Sequence, residues 1–248
     1  MEWIDDAIVL GARKQGETGL ILSLLTRLHG RHKGLVRGGA KSRSRGAFEP
    51  GNRVGARWQA RLADHLGHLA VEPGTNYAAM VMEDPLRLAC LAAAMALADS
   101  ALPEREPHPA VHEALLVVLA RLAADHGYGE AYVAWECGLL AELGFGLDLS
   151  ACAVTGTSDD LAYVSPKSGR AVSLQAGEAY RDRLLPLPRF LVGTGGGGAG
   201  EVLDGLRLTG HFLERWVLAP HNALLPSARS RYVDRIGRIV AISGGTDA

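Results

Sequence analysis

At 248 residues, 48% of them hydrophobic, the chain is long enough for two ordinary domains with real cores, which excludes an intrinsically disordered protein. Its formal charge of -1 hides an uneven split: twelve basic and seven acidic residues lie within positions 1–79, leaving fourteen and twenty beyond. Three cysteines, Cys90, Cys137 and Cys152, with no C-x-x-C pair among them, exclude a disulfide framework and fit a reducing cytoplasm.

Glu2, Asp5 and Asp6 stand where an export signal would need basic residues, so none is expected. The longest apolar run, Leu88 to Ala98, falls far short of the ~20 residues that cross a bilayer, so no membrane segment is expected.

Residues 3–13 and 19–26 are short apolar runs separated by Gln15-Gly16-Glu17-Thr18, the pattern of strand, turn, strand. A third strand is expected over Arg31–Arg37, after the turn at His29-Gly30. It opens the Gly-, Ser- and base-rich stretch 38–46, which reads as a mobile loop. In Arg53–Leu62 the odd positions hold Arg53, Gly55, Arg57, Gln59 and Arg61, and the even ones hold Val54, Ala56, Trp58, Ala60 and Leu62. A strand sends these two sets to opposite faces, one buried and one lined by three arginines, with same-face positions recurring every ~6.6 Å. An arginine row at that interval would match successive phosphates of an extended single strand. Trp58 falls on the buried side and is read as core in preference to a base-stacking platform. A fifth strand, Leu66–Val71, ends at Pro73-Gly74.

Five short strands with one basic face predict a small β-barrel of the OB type over residues 1–79, with an SH3-like barrel as runner-up. Residues 27–61 hold ten basic side chains against one acid, Glu49, and a polyanion is the expected partner. The candidate DNA-binding residues are Arg31, Lys33, Arg37, Lys41, Arg43, Arg45, Arg53, Arg57 and Arg61.

From Tyr77 the texture becomes helical. Pro85–Ala101, Pro109–His126 and Glu130–Leu143 show apolar residues at i, i+3, i+4 and i+7, with Pro at the starts and Gly127 or Gly144 just past the ends. The first is nearly all Ala and Leu and is expected to be the most buried; Cys90 and Cys137 sit on apolar faces and read as core. Residues 147–175 interrupt the helices, and Leu161–Val164 with Arg170–Ser173 form a hairpin around Pro166-Lys167-Ser168-Gly169. Cys152 stands alone there, so no metal is expected. The run Gly193–Gly198 matches G-x-G-x-x-G in form, but no βαβ unit surrounds it, and it reads as a flexible linker before a helix over Gly200–Leu218. A last helix, Asn222–Arg238, bears Arg229, Arg231, Arg235 and Arg238, which either extend a nucleic-acid surface or pack against acids. No H-E-x-x-H, G-x-S-x-G or paired-acid constellation occurs, so no enzyme and no cofactor is expected. The fold class is therefore α+β in two domains: the barrel over 1–79, then a helical domain over 80–248 with its hairpin insertion.

Residues 7–45 (AIVLGARKQGETGLILSLLTRLHGRHKGLVRGGAKSRSR), 135–156 (WECGLLAELGFGLDLSACAVTG) and 224–232 (LLPSARSRY) together resemble the RecO family of recombination mediators. The most specific parts are the Gly-Glu-Thr turn at 16–18 and Gly-Ala-Lys-Ser-Arg at 39–43. The resemblance implies an N-terminal OB domain, a helical domain, and in many members a four-cysteine zinc module, of which Cys152 would be the sole survivor. It also implies a DNA-repair and recombination function in the cytoplasm, at the nucleoid. There such proteins bind single- and double-stranded DNA, anneal complementary strands, and with RecR load RecA onto DNA coated by single-stranded-DNA-binding protein. Relatives can carry Arg just before the pair that here is Trp135-Glu136, a region linked to the acidic tail of the coating protein. This chain has Val133-Ala134, so that tail is expected elsewhere, near Arg121 or the C-terminal arginines. The residues alone leave a second reading open, a general RNA-binding OB protein without annealing activity. If ~6 phosphates of a single strand are engaged, log K should fall with log salt at a slope of roughly −4.

Overall fold

Alternation of apolar and polar residues builds the N-terminal sheet, and its order makes that sheet a barrel. The computed structural model describes residues 1–39, 45–62 and 64–244. Five strands, β1 (Glu2–Gln15), β2 (Gly19–Thr26), β3 (Gly30–Val36), β4 (Arg53–Gln59) and β5 (His68–Pro73), close in the order β1-β2-β3-β5-β4. This is the five-stranded barrel expected of the OB type. Strand β1 serves both sides of the closure: Glu2–Ile8 pair with β4 and Ala7–Gln15 pair with β2, with a bulge between Val9 and Gly11. A bulge raises local twist, which lets one long strand turn the corner of a small barrel.

The barrel core is Ala7, Val9, Leu20, Leu22, Leu24, Val36, Phe48, Val54, Ala56, Trp58 and Leu69. Trp58 is only 2% exposed, and its indole Nε1 donates to Leu66 O at 3.0 Å, so the core reading holds. Gly67 makes room for it: at φ +67 a Cβ there would lie 2.4 Å from the indole nitrogen.

His32 of β3 sits edge-on to Trp3 and Trp58, with ring centroids 5.0 and 4.8 Å away, and neither of its nitrogens has a hydrogen-bond partner. Burial first, then Arg105, lowers its pKa below 6.5; His29 acts both ways and Glu104 opposes. The His112 ring is fully buried with neither nitrogen hydrogen-bonded, and burial lowers its pKa too, against the pull of Asp6 and Asp5. Both rings therefore bind a proton less readily in the folded protein than in the unfolded chain. Stability is expected to fall as pH drops below 6.5, because the unfolded chain then binds more protons. Urea midpoints at pH 7 and pH 5 check this: the difference should shrink in His32→Phe, which keeps the aromatic packing without the titration.

Five helices follow the barrel before and within the hairpin region: α1 (Tyr77–Val81), α2 (Pro85–Ala101), α3 (Pro109–Ala123), α4 (Tyr128–Glu142) and α5 (Leu174–Gly177). Helix α2 begins where its sequence demands. Asp84 caps it, its Oδ1 accepting from Leu86 N at 2.8 Å and Arg87 N at 3.0 Å, with Pro85 in the first turn.

The chain divides into two compact units, Met1–His126 and Gly127–Ala248. The first unit thus holds α1, α2 and α3 together with the barrel, and the Ala-rich α2 packs on β1 and β2. It is not the most buried helix. Seven of its seventeen residues are buried, against eight of fourteen in α6 (Ala199–Phe212), because the ends of α2 are open: Pro85, Leu88 and Ser100 are exposed, and Arg87 and Asp99 are only half-buried.

In the second unit, α6 packs on both α4 and α7 (Ser227–Gly244). The expected hairpin is present as β6 (Leu161–Val164) and β7 (Ala171–Ser173), and β8 (Leu185–Pro186) adds a third strand on the far side of β6. The helix expected over Gly200–Leu218 ends its regular part at Phe212 and continues as a π-helical turn, Leu213–Leu218. Pro226 delays the last helix to Ser227, and it extends to Gly244.

At the centre of this unit lies a buried ion pair. Arg229 of α7 donates from Nε and Nη2 to the two carboxylate oxygens of Glu136 on α4, at 2.7 and 2.8 Å. Nη2 also reaches Leu206 O at 2.7 Å, and the Thr209 hydroxyl donates to the same carboxylate. Burial opposes the charge on Arg229, but Glu136 more than offsets it and raises the pKa.

Candidate nucleic-acid interface

The alternation read from the sequence of β4 is present in three dimensions: Val54, Ala56 and Trp58 are buried, while Arg53, Arg57 and Gln59 face outward. The arginine row is shorter and wider than expected. Strand β4 ends at Gln59, so Arg61 lies beyond it in a bend. Arg53 and Arg57 are four residues apart, which at ~3.3 Å per residue separates them by ~13 Å, twice the expected interval.

Both strand arginines already hold carboxylates of the neighbouring strand. Arg53 Nε donates to Asp6 Oδ1 at 2.8 Å, and Arg57 Nε donates to Glu2 Oε1. The register explains this, since Arg57 faces Ile4 across the β1–β4 ladder, between Glu2 and Asp6 on the same face.

Arg31 and Lys33 of β3 are more firmly committed. The Arg31 side chain, 13% exposed, donates to Leu102 O at 2.8 Å and meets Asp99 and Glu104 at 3.5 and 3.3 Å. Lys33 Nζ lies 2.6 Å from Glu104 Oε1. The Lys33 hydrogen bond, against burial, holds the Glu104 carboxyl below its usual range. These two cations pin residues 99–104 to β3, where Arg31 and Glu104 form a β-bridge. Gly30 permits that approach: a Cβ there would lie 2.0 Å from Glu106 O.

Arg45 is exposed at the start of a 3-10 turn, Arg45–Phe48. Lys41 and Arg43 lie outside the described residues.

The structure gathers a different subset. Strand β3 closes on β5 at Leu35 and His68, and around this seam lie two adjoining shallow depressions, one lined by Arg37 and Arg57 and the other by Arg61 and His65, with Leu35, Gln59 and His68 common to both. Arg37 Nη2 lies 2.9 Å from His68 Nε2, which orders the guanidinium without neutralising it. Leu35, Leu66, Leu69 and Ala70 provide apolar floor. Among the described residues no Phe, Tyr or Trp contributes to this lining. The depressions offer charge-assisted donors for phosphate oxygens and no indole or phenyl plane for a base.

Sequence reasoning did not single out His65 and His68, which the β3–β5 closure brings beside the arginines. It also passed over Arg13 and Lys14, exposed at the end of β1. Their position beside the turn Gln15–Thr18 was the available signal.

Residues 1–76 match the family model for the RecO N terminus, "Recombination protein O N terminal", and residues 82–224 match "Recombination protein O C terminal". The chain belongs to the RecO family. It is 58% identical over 250 residues to the DNA repair protein RecO of Rhodospirillum centenum, covering 100% of both chains. It is 53% identical over 246 residues to the Rhodospirillum rubrum protein of the same name, covering 96% of this chain and 97% of the relative. With the Phenylobacterium zucineum RecO it shares 52% over 237 residues, covering 95% and 98%.

The zinc module that the RecO resemblance implies does not fit the residues present. A structural zinc needs four N or S ligands. Here Cys152 Sγ accepts a hydrogen bond from Ser173 N at 3.2 Å. Burial pushes the thiol up, but hydrogen bonds from Ser173 and Thr155 outweigh it and bring the pKa down to about 6. Among the described residues no group of three or more His, Cys, Asp or Glu converges. The glycine run of this RecO chain is tied down by its own acids. Gly197 N donates to Glu201 Oε2 at 3.0 Å and Gly198 N to Glu130 Oε1 at 3.1 Å, so two of the amides a phosphate would want are taken. Among the described residues no helix is long and apolar enough to cross a membrane.

Proposed function

We propose that this chain is a non-enzymatic DNA-repair and recombination mediator. In this reading it binds single- and double-stranded DNA through the barrel, residues 1–79, and anneals complementary strands. The observation that carries it is the pair of adjoining depressions around the β3–β5 seam, with Arg37 and Arg57 in one and Arg61 in the other beside aliphatic side chains. Cations placed there neutralise the backbone and leave base edges free to find a complement, and phosphate contacts alone carry no sequence preference. Residues 80–248 then supply contacts to protein partners: RecR, and the acidic tail of the single-stranded-DNA-binding protein, with RecA loaded downstream. The setting is the cytoplasm, at the nucleoid.

The test is annealing of complementary oligonucleotides coated with single-stranded-DNA-binding protein, without ATP or added metal. Annealing through the coat supports the proposal. RNA binding at least as tight as DNA binding, with no annealing through the coat, supports instead the general RNA-binding reading left open by the sequence.

The Glu2–Arg57 pair gives a second test of the face. Removing the carboxylate charge releases the guanidinium to engage a phosphate of its own, so Glu2→Gln is expected to tighten single-strand binding several-fold at low salt. Fluorescence anisotropy on a labelled oligothymidylate measures it; unchanged affinity would count against this face.

A further inference from the structure

The last helix carries two kinds of arginine. Arg229 is buried on Glu136, whereas Arg231, Arg235 and Arg238 are exposed on α7. At 3.6 residues per turn these three, with Ile242, fall within an arc of about 60°. Arg231 donates to Ser227 Oγ at 3.1 Å, and among the described residues none of the three meets an acidic side chain within ion-pair distance. Asp234, exposed just outside the arc, is the acid nearest along the helix.

Among the described residues Lys167, Arg183 and Arg215 of this unit likewise meet no acid within ion-pair distance, but they are scattered along the chain, whereas the α7 trio shares one ridge. Elsewhere in the same unit Arg170 pairs with Asp148, Arg181 with Glu178, Arg189 with Glu201 and Arg207 with Asp204. Residues 127–248 hold thirteen acids and eleven bases, so carboxylates are not in short supply. The α7 trio nonetheless stands clear of them on one ridge. The ridge is convex and spans seven residues, about 10 Å at 1.5 Å per residue, which reaches two or three phosphates of a strand. Guanidinium groups bind phosphate through a planar fork, and a convex ridge suits a backbone laid across it better than a peptide that needs an apolar seat.

We infer that Arg231, Arg235 and Arg238 of α7 form a second phosphate-binding strip that holds a second nucleic-acid strand, separately from the barrel face. This rests on the proposal that the barrel holds the first. With two strips on one chain, two strands are presented to each other at raised effective concentration, and annealing follows without any chemical step.

The experiment uses the full chain and two non-complementary oligonucleotides, one carrying a donor dye and one an acceptor. Energy transfer at excess DNA reports both strands on one protein. The triple variant Arg231→Ala/Arg235→Ala/Arg238→Ala is expected to bind the first strand as the parent does. Its second-strand salt slope should become shallower by about 2, the share of three phosphates on a single strand, and annealing should slow accordingly. The corresponding triple Lys variant should retain both properties and shows that charge, not folding, is at issue. Unchanged energy transfer in the Ala variant overturns the inference. So does loss of binding to an Asp/Glu-rich peptide while second-strand binding stays intact, which would make the ridge a protein-docking surface. The barrel variant Arg37→Ala/Arg57→Ala/Arg61→Ala separates the two readings: if it leaves first-strand binding intact, the barrel assignment fails, whereas the α7 strip is judged by energy transfer alone.

Discussion

Arg229→Met is expected to destabilise the Gly127–Ala248 unit by about 3–5 kcal/mol, because removing one partner strands the other as an uncompensated buried charge. Glu136 is 0% exposed and would keep the Thr209 hydroxyl as a donor but lose both guanidinium bonds. Leu206 O would lose a donor as well. The double variant Arg229→Met/Glu136→Gln should recover a large part of that loss, since it removes the stranded charge instead of leaving it. Urea unfolding followed by tryptophan fluorescence reads both, because Trp135 and Trp216 belong to this unit. A single variant as stable as the parent would mean that water reaches Glu136.

The second large effect is on binding. The variant Arg37→Ala/Arg57→Ala/Arg61→Ala should lower the single-strand salt slope from roughly −4 to about −2, three phosphates at about 0.7 each. If counterion release vanishes near 1 M salt, that difference corresponds to about a 50-fold weaker association at 0.15 M. Arg31→Ala and Lys33→Ala form the contrast. Their side chains hold residues 99–104 on β3, so they should cost stability while changing the salt slope little. Titrations at several salt concentrations, with urea midpoints on the same samples, separate the two classes. A slope of −4 retained by the triple variant would place the DNA elsewhere.

Much of this was legible in the sequence where a short-range rule governs. The period-2 pattern of Arg53–Gln59 reported a strand with arginines out and Trp58 in, because alternation is a local property of the pleat. Pro85 and the apolar spacing marked α2, which runs over Pro85–Ala101 as expected, because a proline and a helical period act within one or two turns. Partners far apart along the chain were not legible. Arg31 meets Asp99 and Arg229 meets Glu136 across separations of 68 and 93 residues, and only the closed fold decides those pairs. Counting ten bases in residues 27–61 therefore overstated the charge available to a ligand, since acids from β1 and from residues 99–104 return to meet it. The two-residue strand β8 escaped for a related reason: Leu185-Pro186 has no pattern of its own and becomes a strand only against β6.

The carboxylates of Glu2 and Asp6, resting on Arg57 and Arg53, mean that the barrel brings its own counter-ions. A phosphate arriving at Arg57 or Arg53 exchanges for a carboxylate instead of meeting a bare cation, and the same carboxylate waits within reach to reverse the exchange. Such a face favours short residence over tight grip. On the proposed function, a strand bound at this face would be released as readily as it is taken up, without any outside energy source.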